Sequence, residues 1–220
     1  GEAMDAGKLA TKLEHVTLKG MHCHIGSQIF DIDPFELAAK VMINFMGDIK
    51  NQTGLVLTEL NLGGGFGIKY LPEHDPEDYD NYMNRVAKVV KETSEAAGIP
   101  LPFIVIEPGR SVVGPAGITL YKVGGIKDIP GIRTYVSIDG GMADNPRYAL
   151  YKSPYDAVVA NRAEEPRSSV VTIAGKCCES GDLIQENASI QKVQYGHILA
   201  VLATGAYNYS MASNYNRIPR

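Results

Sequence analysis

The apolar and polar positions in the first half of the chain follow two alternating periods. Short apolar runs at 16–21, 55–62 and 103–106 predict three strands, and apolar residues at helical spacing over 35–49 and 79–90 predict two helices between them. This order of strand, helix, strand, helix, strand indicates parallel strands joined by crossover helices, as in a barrel or a doubly wound sheet.

Helix-start signals support the two helices. Asp33 is followed by Pro34 and Glu36, which predicts a capping box at the start of the first helix. Asp75 and Pro76 predict a cap and a first-turn proline for the second helix.

The pattern changes near residue 111. From there the apolar runs are short, are separated by Gly and Pro, and include no convincing amphipathic helix. An antiparallel β domain is the simplest interpretation. The predicted strands are 117–123, 134–138, 155–159, 168–173 and 197–203. We therefore expect a barrel part over 1–112 and a β-rich part over 113–220, in which 208–220 returns toward the barrel.

Composition narrows the class of protein. The 220 residues are 45% hydrophobic and 21% charged, which allows a packed core. The net charge of −4, without basic runs, argues against nucleic acid as the main partner. No apolar stretch reaches the length of a membrane span, and the start of the chain lacks a secretory signal.

Cysteine usage indicates a reducing compartment. Cys23, Cys177 and Cys178 are odd in number and two are adjacent, so a disulfide framework is not expected and the cytoplasm is the default location. No CxxC spacing supports zinc, and we predict no metal site.

Three unusual blocks follow the three predicted strands. They are HCHIGSQ at 22–28, GGGFG at 63–67 and EPGR at 107–110, and they are spaced about forty residues apart. In TIM-type barrels the active residues lie at the carboxyl ends of successive strands, so these side chains are expected to converge on one pocket.

Each of these blocks has alternative interpretations. GGGFG suits phosphate binding or a tight turn, but Ile68 excludes the dinucleotide fingerprint. His22 and His24 alternate on one strand face, so a metal pair, a packed histidine or a ring stacked on a planar cofactor are all possible. A buried Glu107 requires a cation or a protonated ring nitrogen, unless it forms a structural ion pair.

The second half contributes polar blocks of its own. Arg147, in the polar loop around DGGMADN, is either a carboxylate-binding group or a solvated surface residue. In CESGD at 178–182 a thiol stands beside a carboxylate, and the thiol is a possible nucleophile, metal ligand or proton donor. Tyr207 in TGAY is either a phenol for an anion or a core residue.

Taken together, the motifs resemble the diaminopimelate decarboxylase family of pyridoxal-phosphate enzymes, which have an alanine-racemase-like barrel. The resemblance runs through HCHIGSQ, LGGGFG, EPGR, DGGMADN, CESGD, TGAY and SMASNYN and covers essentially the whole chain. It implies an α/β plus β fold: the later part of a TIM-type (β/α)8 barrel, followed by an antiparallel β domain.

The resemblance also implies a pyridoxal 5'-phosphate site. His24 would stack on the pyridine ring, and Glu107 would keep the ring nitrogen protonated, so that the ring withdraws the electrons left when CO2 departs. Ser27, the glycine block and the backbone at 109–110 would hold the phosphate. The implied cofactor-binding set is His24, Ser27, Gly63, Gly64, Gly65, Phe66, Gly67, Glu107, Pro108, Gly109, Arg110 and Tyr207.

Substrate and catalytic residues follow from the same resemblance. The implied catalytic residues are Cys178, as the proton donor, and His24. Glu179 would bind the distal amino group of a small amino-acid substrate. Arginines would bind the carboxylates of that substrate. The implied substrate-binding set is Arg110, Arg147, Tyr151, Glu179 and Tyr207. Cys178 and Glu179 would come from a partner subunit, which implies a homodimer with shared active sites.

The chain departs from the family pattern in three ways, one of which is Cys177 at the variable position before Cys178. Tyr148 stands where the family usually has Pro. The lysine that forms the family's Schiff base lies in an upstream motif, and neither Lys19 nor Lys69 has that context. We therefore expect a segment of a longer enzyme that is inactive alone.

The expected reaction of the whole enzyme is decarboxylation of meso-2,6-diaminopimelate to L-lysine. Two alternatives stay open: a related decarboxylase of another cationic amino acid such as carboxynorspermidine, and a non-catalytic relative that binds partners.

Overall fold

The computed structural model of the protein describes residues 1–220. Its helices are α1 (Glu2–Ala10), α2 (Asp33–Thr53), α3 (Tyr79–Ala96), α4 (Gly109–Val113) and α5 (Arg147–Tyr151). Its strands are β1 (Gly20–His22), β2 (Glu59–Asn61), β3 (Phe103–Val105), β4 (Thr119–Ile129), β5 (Arg133–Ile138), β6 (Ala157–Val159), β7 (Ser169–Ala174), β8 (Leu183–Ile190) and β9 (Ile198–Val201).

The backbone forms two units, which are described separately. The first comprises 1–67 and 75–108, and the second comprises 68–74 and 109–220. The predicted domain assignment, with a division after residue 112 and a return segment at 208–220, stays a prediction.

The first unit contains a parallel sheet in the order β1-β2-β3. His22 lies beside Asn61, and Asn61 lies beside Val105. α2 connects the first pair of strands and α3 connects the second pair, so the predicted alternation is confirmed. Because the strands are parallel, the loops that leave their carboxyl ends lie at one edge of the sheet.

The start of α2 differs from the prediction. Ile32 occupies the N-cap position, and the side chain of Asp33 caps nothing because Asp33 is already the first helical residue. The backbone N–H of Asp33 donates instead to Oδ1 of Asp31, at 3.1 Å. Glu36 does not complete a capping box, since its carboxylate accepts hydrogen bonds from Arg85, at 2.7 and 2.6 Å.

The start of α3 lies three residues later than predicted. Asp78, not Asp75, is the N-cap, and its Oδ1 accepts the backbone N–H of Asn81 at 2.7 Å. Asp78 has the extended backbone that this capping geometry needs. The core of the first unit joins the inner faces of both helices to the sheet, through Phe35, Ala39, Ile43, Met46, Ile49, Leu57, Leu60, Leu62, Phe66, Tyr82, Val86 and Val90.

The second unit contains a six-stranded sheet in the order β6-β9-β4-β5-β7-β8. Every neighbouring pair is antiparallel except β5 and β7, which are parallel. β4 extends to Ile129, beyond its predicted end, and β8 was not predicted. The unit's core consists of buried residues that include Tyr121, Val123, Val136, Ile138, Tyr155, Ile173, Ile184, Ile190, Leu199 and Val201. None of the helices has both the length and the apolar character needed to cross a bilayer.

Candidate active site

The loops after β1 and β2 meet at His24. The backbone N–H of Gly64 donates to Nδ1 of His24 at 3.3 Å. With Nδ1 acting as an acceptor, a neutral imidazole carries its proton on Nε2. The side chain of His24 is exposed, so the ring presents a free surface beside the glycine loop.

Glu107 lies at the same edge, after β3. Its backbone N–H donates to the carbonyl of Gly63 at 2.7 Å. Nδ2 of Asn61 donates to Oε1 of Glu107 at 2.8 Å, and Oδ1 of Asn61 accepts the N–H of Gly63 at 2.8 Å. Nε2 of His22 lies 3.7 Å from the other carboxylate oxygen. His24, the glycine loop and Glu107 are therefore brought together as the sequence predicted.

The burial expected for Glu107 is not observed. Its side chain is 55% exposed, and that of His22 is 53% exposed. β3 has a neighbour on one side only, β2, so no further strand covers this side chain. One oxygen of the Glu107 carboxylate is fixed by the hydrogen bond from Asn61. The other oxygen can accept a hydrogen bond from a ligand.

The glycines are required by contacts between loops. A Cβ at Gly63 would lie 2.6 Å from the carbonyl oxygen of Cys23. A Cβ at Gly64 would collide with the carbonyl oxygen of Glu107, and one at Gly65 with that of Gly26. Gly63 and Gly65 also have φ of 69° and 101°, the region that favours glycine. The glycine block thus holds the His24 loop and the Glu107 loop against it.

Only part of the glycine block can donate to an anion. The N–H groups of Gly63, Gly64 and Gly67 are bonded within the protein, whereas those of Gly65 and Phe66 have no partner. The Phe66 ring is buried and stacks on Phe35, with centroids 5.0 Å apart, so Phe66 would bind through its backbone alone. Ser27 lies on the adjacent loop, which Ile29 joins to the block in a parallel bridge with Phe66.

In the second unit, two arginines share the ring of Tyr207. The guanidinium of Arg110 lies 4.9 Å from the ring centroid and that of Arg147 lies 5.3 Å from it. Nη1 of Arg110 also donates to the Tyr70 hydroxyl at 2.7 Å. A Cβ on Gly109 would lie 3.9 Å from the Tyr207 hydroxyl. Two cations on one ring repel each other, which favours binding of an anion such as a carboxylate.

Arg147 is held from several sides. It is 7% exposed, Nη2 donates to Oγ of Ser153 at 3.1 Å, and its guanidinium lies 5.7 Å from the Tyr151 ring centroid. Its Nε is buried without a hydrogen-bond partner. Such a donor is costly to leave unpaired, so this arginine is suited to receive a ligand oxygen.

Cys178 and Glu179 contact a different segment. The N–H of Cys178 donates to Oδ1 of Asn216 at 2.8 Å, and the Tyr215 hydroxyl donates to Oε2 of Glu179 at 3.1 Å. The N–H of Gly181 and the Tyr215 hydroxyl lower the pKa of the Glu179 carboxyl, which therefore stays anionic at neutral pH. Neither residue forms a hydrogen bond with Arg147 or Tyr207.

Comparison with known proteins identifies the family. The profile of the family described as pyridoxal-dependent decarboxylase, pyridoxal binding domain, matches residues 1–114. The chain belongs to this family. That membership confirms the predicted pyridoxal cofactor and the barrel-plus-β fold class.

Individual relatives agree with the motif resemblance. The chain is 49% identical over 220 residues to diaminopimelate decarboxylase from Bacillus subtilis, of which it covers 50%. It is 48% identical over 220 residues to that from Bacillus methanolicus, of which it covers 51%. A crystal structure of diaminopimelate decarboxylase from M. jannaschii in co-complex with L-lysine matches 100% of this chain and 49% of that chain, with 36% identity and a TM-score of 0.91. The chain thus spans about half the length of these relatives.

The first unit fits the pyridoxal group of the family. A flat imidazole at His24 suits a planar ring, and a carboxylate at Glu107 with one open oxygen suits a ring nitrogen. The unpartnered N–H groups of Gly65 and Phe66 suit an anion. The donor set therefore has the chemistry that a phosphorylated pyridine requires.

The sequence-based prediction missed several site residues. Asn61 orients Glu107, Tyr70 contacts Arg110, and Tyr215 and Asn216 hold the Cys178 loop. For Asn61 a signal existed, since an amide two residues before the glycine block interrupts an apolar strand. Tyr70 has no local signal because its partner Arg110 lies 40 residues away.

Proposed function

We propose that the protein containing this chain decarboxylates meso-2,6-diaminopimelate to L-lysine and CO2 with pyridoxal 5'-phosphate. The observation that carries the proposal is the meeting of His24, the glycine block and Glu107 at one edge of the parallel sheet. The match of all 220 residues to about half the length of two diaminopimelate decarboxylases supports the choice of reaction.

The first unit would hold the cofactor. His24 would lie against the ring, the N–H groups of Gly65 and Phe66 would donate to the phosphate, and Glu107 would hold a proton on the ring nitrogen. When bound, pyridoxal phosphate supplies a positively charged ring that accepts the electrons released as CO2 leaves. Asn61 would keep the carboxylate of Glu107 turned toward its partner.

The second unit would supply the groups that bind and protonate the substrate. Arg110, Arg147 and Tyr151 would bind its carboxylates, and the anionic Glu179 would bind its distal ammonium. The Cys178 thiol would return a proton to the carbon that loses CO2.

The first experiment measures CO2 release from meso-diaminopimelate by the gene product that contains this chain, loaded with pyridoxal phosphate. Arg147→Lys should lower kcat/KM by about 10- to 150-fold, because an ammonium cannot form the bidentate contact of a guanidinium with a carboxylate. Arg162→Lys, on an exposed ion pair with Glu165, is the matched control and should stay within about 2-fold.

Several outcomes would reject the proposal. Absence of CO2 release would favour a non-catalytic relative, and equal turnover of a cationic amino acid that lacks the second α-carboxylate would favour a sibling decarboxylase. Retained turnover in Cys178→Ala would remove the thiol from the proton-donor role.

The proposal includes a homodimer in which Cys178 and Glu179 serve the partner subunit. It is supported by the family resemblance and by the exposure of both side chains. Mixing inactive Cys178→Ala and Arg147→Ala subunits should restore about 25% of the wild-type rate, because half of the dimers are mixed and each has one intact site. No recovery would refute the sharing. A cytoplasmic location stays a prediction.

A further inference from the structure

The loop that carries Cys178 and Glu179 is held by residues 213–217, here named the clamp. Its Asn216 accepts the backbone N–H of Cys178 at 2.8 Å, and its Tyr215 donates to the Glu179 carboxylate at 3.1 Å. The clamp therefore reaches both residues of the loop to which the proposed function assigns chemistry.

The clamp itself is anchored. The N–H of Ser213 donates to the carbonyl of Ala143 at 2.8 Å, and Oγ of Ser213 accepts the N–H of Tyr215 at 3.3 Å. The N–H of Arg217 donates to the carbonyl of Asn214 at 2.7 Å, which closes a tight turn. These bonds fix where the clamp presents its side chains.

Asn216 adopts an unusual backbone conformation. Its φ is 52° and that of Arg217 is 61°, so two successive residues lie in the left-handed region. Asparagine tolerates that region better than most residues, although glycine tolerates it better still. The asparagine amide therefore adds a feature that the backbone alone does not require, namely the bond to Cys178.

Tyr215 fixes the second oxygen of Glu179. Oε1 accepts the N–H of Gly181 at 3.2 Å and the Ser180 hydroxyl at 3.3 Å, so the loop itself holds that side of the carboxylate. Oε2 receives only the Tyr215 hydroxyl, which determines how the group is turned. An acceptor site on Oε2 remains available for a substrate ammonium.

We propose that the clamp residues Asn216 and Tyr215 are positioning residues. Asn216 fixes the position of the Cys178 thiol, and Tyr215 fixes the orientation of the Glu179 carboxylate. This inference rests on the proposed function. It predicts that the two contacts affect different kinetic constants, since one serves the proton donor and the other serves substrate binding.

The kinetic test compares three variants of the gene product loaded with pyridoxal phosphate. Asn216→Gly removes the amide without straining the backbone and should lower kcat about 10-fold, with KM for diaminopimelate within about 2-fold. Asn216→Asp keeps an acceptor oxygen and should restore most of kcat. Tyr215→Phe should raise KM about 3- to 10-fold, with kcat within about 3-fold.

A second readout follows the contact directly. Hydrogen exchange of the Cys178 amide should become about 10-fold faster in Asn216→Gly and stay near wild type in Asn216→Asp. Asn187→Gly is the matched control, because Asn187 also has a positive φ, of 53°, and is exposed on β8. It should change neither exchange at Cys178 nor turnover.

The outcomes separate this inference from the proposed function. Unchanged amide exchange and unchanged kcat in Asn216→Gly would overturn the positioning role of the clamp. Asn216 would then stabilise only the turn in which it lies. Faster exchange with unchanged kcat would also overturn the positioning role. If the wild-type protein releases no CO2, the proposed function fails, while the exchange measurement still decides whether Asn216 holds the loop.

Discussion

Replacement of Asp182 by Asn tests whether a buried carboxylate holds the second unit's polar loops together. Asp182 is 3% exposed and accepts the backbone N–H groups of Met142, at 2.5 Å, and Cys177, at 2.6 Å. A Cβ on Gly141 or Gly175 would collide with the carboxylate. The loop around Gly141 and the loop before Cys178 are therefore both packed on this group.

The loss of stability in Asp182→Asn follows from the two hydrogen bonds that the carboxylate accepts. Asparagine has one amide oxygen, so it can accept only one of the two N–H groups, and its NH2 would face the other. A lost hydrogen bond to a charged group costs about 1.5–3 kcal/mol, and an unpaired buried donor adds about 1–3 kcal/mol. We expect Asp182→Asn to lower the free energy of unfolding by about 3–5 kcal/mol, measured by urea titration of the gene product that contains this chain.

Glu165→Gln provides the control. It removes the same charge from an ion pair whose acidic side chain is 50% exposed, and such pairs contribute about 0–1 kcal/mol. If Asp182→Asn costs no more than this control, the two short bonds do not stabilise the fold and the reasoning is wrong.

Three further substitutions test other contacts. Gly64→Ala should weaken cofactor binding about 10-fold or more in absorbance titrations, because its Cβ would push the carbonyl of Glu107 away; unchanged affinity would contradict the loop packing. Tyr82→Phe should cost about 1 kcal/mol in urea unfolding, because the hydroxyl donates to the carbonyl of Ile29 at 3.0 Å; no cost would make that bond neutral. Stability should fall as the pH rises from about 10 to 12, because burial and Glu186 raise the pKa of Tyr148 to about 12 while an unfolded tyrosine ionises near 10. Tyr148→Phe should reduce that alkaline slope in urea titrations, and an unchanged slope would exclude this tyrosine as its source.

Local sequence periodicity predicted the parallel part of the fold and the meeting of three loops at one edge of the sheet. Apolar strands of a βα alternation are parallel, and their carboxyl ends meet, so His24, Gly64 and Glu107 could be placed together without coordinates. The exposure of Glu107 could not be predicted, because it depends on how many strands lie beside β3.

Strand β8 was not predicted because polar residues interrupt its alternation of apolar and polar positions. Ile184, Ala188 and Ile190 are buried on alternate positions, but Glu186 interrupts that face and Asn187 breaks the extended backbone with a positive φ. The Glu186 carboxylate is satisfied by Tyr148, at 2.6 Å, and by Arg133, at 2.9 Å. These partners lie 38 and 53 residues away, and no local pattern reveals them.

The interlocking of the glycine block with its neighbours bears on how new specificities can arise. At Gly63, Gly64 and Gly65 a Cβ would collide with a carbonyl of another loop, so a change in one loop must be accommodated by all of them at once. Laboratory evolution of this scaffold should therefore conserve those loops. It should draw its useful variation from positions outside the block, such as Tyr151, whose side chain is exposed.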